Sequence, residues 1–89
     1  MSDYEGLRDE SQQRLVDFLN VELKLGVALV ESALTAYDAK YMDHYAEAKA
    51  NATKVAETVR RFMGQVEDMS SRTKIGKQLA ELDRLISTL

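Results

Sequence analysis

The sequence predicts an all-α protein folded as a small antiparallel three-helix bundle. Three observations carry that expectation. Apolar residues recur every third or fourth position in three separate stretches, the signature of helices that each bury one face. Proline is absent from the 89 residues, so no stretch is broken by a missing amide donor. No glycine or proline marks a turn between Gly26 and Gly64, and the corner between the first two stretches is expected within Asp38 to Asp43, which holds two aspartates suited to helix N-caps.

The first stretch gives a helix over 11–37. Its apolar line runs Val16, Leu19, Leu23, Val27, Val30, Leu34 and Tyr37, and a second stripe of Leu15, Phe18, Leu25 and Leu29 widens it beyond a coiled-coil seam. Residues 1–10 are expected to fray, although Ser2 with Glu5 three positions on matches a capping box that would start a helix near Asp3, weakened by Gly6.

The second helix is expected over 43–66. Tyr45, Ala48, Ala52, Val55, Val59, Phe62, Val66 and Met69 alternate steps of three and four without exception, and the early alanines suit close approach to a neighbour. Gly64, after Arg60 and Arg61, marks its C-terminal region. A third helix over 71–88 follows from Ile75, Leu79, Leu82, Ile86 and Leu89, with Ser70 and Ser71 as N-caps. The structural alternative is a helix continuous through 38–43, giving a long hairpin that must dimerise into a larger bundle to cover its apolar face. Solvated faces carry i,i+4 pairs: Glu10 with Arg14, Glu57 with Arg61, Asp68 with Arg72, and Lys77 with Glu81.

Composition narrows the function. A chain this short accommodates one domain with a thin core, and pairing with a second chain is a common way for such a domain to add burial. With no cysteine there is neither a disulfide framework nor a thiolate metal site. The net charge of −3 is unevenly placed. Residues 1–47 hold ten acids against four bases, and 48–89 hold five acids against eight bases. An acidic balance argues against nucleic acid as the partner, since duplex binding draws on a basic footprint. No apolar run is long enough to span a bilayer, and the acidic, polar segment Met1–Glu10 is unlike a secretion signal, so no membrane insertion and a cytoplasmic location are expected.

Catalytic motifs are scarce. The glycines are isolated and none opens a phosphate loop. His44 is the one histidine, beside Asp43 and Glu47, and carboxylates such as Glu22 or Glu31 could converge on it in a bundle interior. That would make a small metal-binding or hydrolytic bundle, but a single reversed His-x-x-Glu is thin machinery, and no enzyme activity, cofactor or metal is expected. A basic cluster of Arg60, Arg61, Arg72, Lys74 and Lys77 brackets the second turn, and Met42, Met63 and Met69 read as core fillers.

What remains is a non-enzymatic module for protein–protein interaction or self-association. Helix one has more apolar surface than two neighbours cover, which selects Phe18, Leu25 and Leu29 as contact residues and a homodimer as the expected state. Tyr37, Tyr41 and Tyr45 form a second candidate surface, an aromatic ladder at steps of four if the helix continues through the break.

From Gly26 onward, an alanine-rich hairpin (Ala28, Ala33, Asp38, Ala46, Ala50) followed by Ile75, Leu79, Leu82, Asp83 and Arg84 resembles the microtubule-interacting-and-trafficking domain and its tetratricopeptide-like relatives. The resemblance implies a three-helix fold that takes an amphipathic helix of a partner into a groove between its own helices.

Overall fold

The computed structural model describes residues 2–89, with side chains described from Gly6 onward. Among them the chain forms three helices, α1 (Ser2–Asp38), α2 (Met42–Met63) and α3 (Met69–Ser87), packed as an antiparallel bundle. The molecule measures 58 × 18 × 15 Å. Its long dimension is that of α1, whose 37 residues rise about 55 Å.

α1 starts well before the expected position 11. The proposed Ser2–Glu5 capping box lies outside the described side chains. The turn between α2 and α3 holds this first part of the helix in place. The Arg8 guanidinium meets both carboxylate oxygens of Glu67, while Gln12 donates to the Gln65 carbonyl at 3.1 Å and accepts from the Glu67 amide at 2.9 Å.

The corner at residues 39–41 breaks the helix, which rules out the continuous hairpin. It closes as a Schellman motif: the Tyr41 amide reaches back to the Ala36 carbonyl at 2.8 Å, and the Lys40 amide bonds the Tyr37 carbonyl at 3.0 Å. Lys40 supplies the left-handed residue that this motif requires, at φ 65°. Neither Asp38 nor Asp43 caps α2. Tyr41 occupies the N-cap position with no side-chain bond, and Asp43 lies in the first turn, where its charge favours the positive end of the helix.

α2 ends at Met63, three residues short of expectation, with Gly64 as its C-cap in the ordinary right-handed region. Val66 is nonetheless fully buried, packed from the connection rather than from the helix, whereas Met69, expected on the same apolar line, is 72 % exposed. Asp68, not Ser70 or Ser71, caps α3, its carboxylate accepting from the Ser71 amide and hydroxyl at 2.9 and 2.7 Å. Arg72 turns to the Val66 carbonyl instead of Asp68, and Glu81 pairs with Arg84 instead of Lys77. Glu10 and Arg14 approach within 3.9 Å as expected.

The core joins Leu19, Leu23 and Val30 of α1 to Val55 and Val59 of α2, and Ile75, Leu79 and Leu82 of α3. Along α1 the buried line runs through Leu19, Leu23, Gly26, Val30 and Ala33, not through the bulkier Val27 and Leu34. At Gly26 the neighbouring helices approach too closely for a side chain. A Cβ on Gly26 would stand 2.6 Å from Leu82 Cδ2 and 3.1 Å from Val55 Cγ1, so Gly26 marks the point where all three helices meet. Ala48, Ala52 and Ala56 supply the matching small residues on α2.

Candidate protein-interaction surface

α3 covers one side of the α1–α2 hairpin. On the other side, α1 keeps an apolar stripe open to water. Phe18, Val21 and Leu25 follow at steps of three and four and are 43 %, 62 % and 45 % exposed. Leu7, three helical turns before Phe18, extends the same face at 65 % exposure. Phe18 is fixed at the edge of the stripe by Phe62 of α2, whose ring meets it edge-on at 6.4 Å between centroids.

Of the three contact residues expected on helix one, Phe18 and Leu25 therefore lie on an open surface, while Leu29 is half-buried and packs against the core. Val21 and Leu7 were not anticipated. Their spacing from Phe18, three and eleven residues, carried the signal, because both steps return a residue to one face of an α-helix.

The three tyrosines do not form a ladder, since the corner at 39–41 removes the helical register between Tyr37 and the other two. Tyr37 and Tyr45 instead meet across the corner at 5.5 Å between centroids. Tyr45 is half-buried and its hydroxyl donates to the Leu89 main-chain oxygen, tying the end of α3 to the start of α2. Tyr37 and Tyr41 remain exposed, with Met42 beside them. His44 is exposed at the start of α2, its ring turned edge-on to Tyr41 at 6.5 Å. Among the described residues no three His, Cys, Asp or Glu side chains converge as a metal site would require.

The bases around the second turn point to different places. Arg60 is bound to Asp83 at 2.7 Å, Arg72 folds onto the Val66 carbonyl, and Lys74 lines a groove on the far side of α3. That groove, between α1 and α3, encloses about 640 Å³. Leu23, Val27 and Ala28 form its apolar floor, and Lys24, Lys74 and Glu81 stand on its rim. Among the described residues no helix is long and apolar enough to cross a membrane.

Electrostatics concentrate at the α2–α3 turn. The Arg8 guanidinium holds the Glu67 carboxyl below its ordinary range, and the Ser71 hydroxyl and amide do the same for Asp68. Both groups serve structure: one fastens α1 to the turn and the other starts α3.

No family model, characterised protein or solved structure matches the chain.

Proposed function

We propose that this protein is a non-enzymatic helical interaction module that self-associates through the outer face of α1. The observation that carries the reading is the open stripe of Leu7, Phe18, Val21 and Leu25 on the side of the hairpin that α3 leaves uncovered. Side chains of this size gain roughly 1.5–3 kcal/mol each when fully removed from water, and a second copy offers the same stripe in return.

The stripe's size sets the strength of the association. From Leu7 to Leu25 this face runs about 27 Å, with Ser11 and the exposed Arg14 between Leu7 and Phe18, and a helix face about 10–12 Å wide gives a footprint of at most roughly 300 Å² per chain. That is well below the ~800 Å² per partner of a standard stable interface, so the dimer is weak and concentration-dependent.

Light scattering coupled to size-exclusion chromatography, run from about 10 µM to 1 mM, tests this. The expected mass rises from that of the 10.0 kDa monomer towards twice that value, and Val21→Glu returns it to the monomer. A monomer throughout the series would overturn the reading.

The α1–α3 groove supports a second reading, capture of a partner's amphipathic helix on the floor of Leu23, Val27 and Ala28. Mapping by NMR separates the two: concentration-dependent shifts at Val21 and Leu25 belong to self-association, and shifts at Val27 and Gln78 on adding an amphipathic peptide belong to the groove.

A further inference from the structure

The apolar register of α1 carries across the corner into α2. Val30, Leu34, Tyr37, Tyr41, Tyr45 and Ala48 follow one another at steps of three and four, so on an unbroken helix they would share one face. Neither glycine nor proline interrupts the chain between Gly26 and Gly64, and Ala39 and Lys40 at the corner itself are good helix formers. The corner forms nevertheless, with Lys40 in the left-handed region and with Tyr41 as an N-cap that makes no side-chain bond. It leaves Leu34, Tyr37 and Tyr41, three members of the shared register, exposed to water.

Within one chain the corner is obligatory, because a straight helix would carry α2 away from α1. A second copy removes that constraint. We propose that two chains exchange halves: residues 2–63 of each become one straight helix, and α2 and α3 of one copy pack on α1 of the other. The contacts of the single chain show why the exchange fits. Phe18 meets Phe62, Gly26 lies against Val55 and Tyr37 meets Tyr45, so α1 and α2 run antiparallel about a point between Lys40 and Tyr41. Two straight helices set antiparallel about that same point reproduce these contacts between copies. Only the segment around 39–41 changes. There Tyr41 of each copy lies beside its own equivalent, and Tyr37 meets Tyr45 of the other copy. Each chain also releases its left-handed residue, which favours the exchanged pair, while the lost freedom of joining two chains opposes it. The single chain therefore prevails in dilute solution. Val21 stays on the outside of the exchanged pair, so this association is separate from the one through the outer face of α1, and neither requires the other.

The exchanged pair parts only by giving up the α1–α2 interface, so it outlasts dilution, whereas a pair held by the outer stripe does not. The test is to unfold the chain by heat, cool it at about 1 mM, dilute it to about 10 µM and pass it at once through size-exclusion chromatography with light scattering. A fraction at twice the 10.0 kDa monomer mass is expected to persist, in the parent and in Val21→Glu alike. Lys40→Val, whose branched side chain resists the left-handed region, should enlarge that fraction. Lys40→Gly removes the left-handed cost, worth about fivefold or more at each of the two corners, and should weaken the pair by about 25-fold or more. Circular dichroism confirms that each variant keeps its helices. Because the chain has no cysteine, spin labels on Lys24→Cys and Glu57→Cys, exposed positions at one level of the hairpin, report the geometry directly. In the single chain they stand on adjoining helices, within about 30 Å of each other. In the persistent fraction refolded with excess unlabelled chain, the straight helix between them sets them about 50 Å apart. No persistent fraction from the parent, a persistent fraction with the short distance, or a Lys40→Gly pair as strong as the parent's would overturn the exchange and leave outer-face association standing.

Discussion

Lys40→Gly should stabilise the protein, and the corner between α1 and α2 gives the magnitude. Lys40 sits at φ 65°, in the left-handed conformation that closes the Schellman motif. An L-residue there costs roughly 1–2 kcal/mol relative to the right-handed form, because its Cβ crowds the following carbonyl. Glycine removes that cost but raises the entropy of the unfolded chain, at an expense of about 0.4–1 kcal/mol. The difference is a net gain of about 0.5–1 kcal/mol. For a domain of this size it corresponds to a rise in Tm of roughly 2–8 °C. Urea unfolding followed by circular dichroism is the assay, with protein concentration held fixed because association would itself shift the midpoint. The midpoint should rise with the slope unchanged. Lys40→Ala is the control, since it removes the long side chain and its charge but keeps the Cβ, and it should stay within about 0.5 kcal/mol of the parent. An unchanged or lower midpoint for Lys40→Gly, or an equal gain for Lys40→Ala, would refute the assignment of the cost to the backbone.

Gly26→Ala should behave in the opposite way to an exposed helical glycine. The gain in helix propensity of about 1 kcal/mol is met by an overpacking cost of about 1–3 kcal/mol against Leu82 and Val55, so the variant loses up to about 2 kcal/mol. Combining it with Leu82→Val should recover at least about 0.5 kcal/mol relative to the sum of the single changes, and strict additivity would contradict the close approach. Acid should loosen the α2–α3 turn. Glu67 and Asp68 have lowered carboxyl pKa values in the folded state, so what they contribute is fully present above the ordinary carboxylate range and is lost as pH falls through those lowered values. The double variant Glu67→Gln, Asp68→Asn should therefore show a shallower loss of stability between pH 5 and pH 2 by circular dichroism, and a titration identical to the parent's would argue against this role.

The sequence was informative where apolar bulk and burial coincide. The third helix is the simplest case: Ile75, Leu79 and Leu82 are buried where the periodicity placed them, with Ile86 and Leu89 half-buried beside them. On α1 bulk misled. A valine at 27 and a leucine at 34 are bulkier than their neighbours, yet Gly26 and Ala33 hold the interior positions, at Gly26 because Leu82 and Val55 come too near for a side chain. The alanines at 48, 52 and 56 were the available sign of that close approach. Turn chemistry was inverted in a similar way. Gly64 stands in a right-handed cap that any residue could fill, while Lys40 occupies the left-handed position where glycine would be expected. A search for glycine therefore finds an α2 end that does not need one and passes over the corner that does.

The displaced phase of α1 also accounts for its outer stripe. Turning Gly26 and Ala33 inward turns Val27 and Leu34 partly outward on one flank and leaves Val21 and Leu25 on the face away from α3. Apolar residues consequently lie on more than one side of α1, whereas the buried residues of α2 and α3 gather on single faces. A helix is ordinarily matched to its neighbours by one apolar face. α1 has apolar surface for more neighbours than its own chain provides, and the residues that exceed the core's needs are the ones spaced to meet another helix. That mismatch, more than any single exposed side chain, is why a second copy of the same surface is the partner we propose.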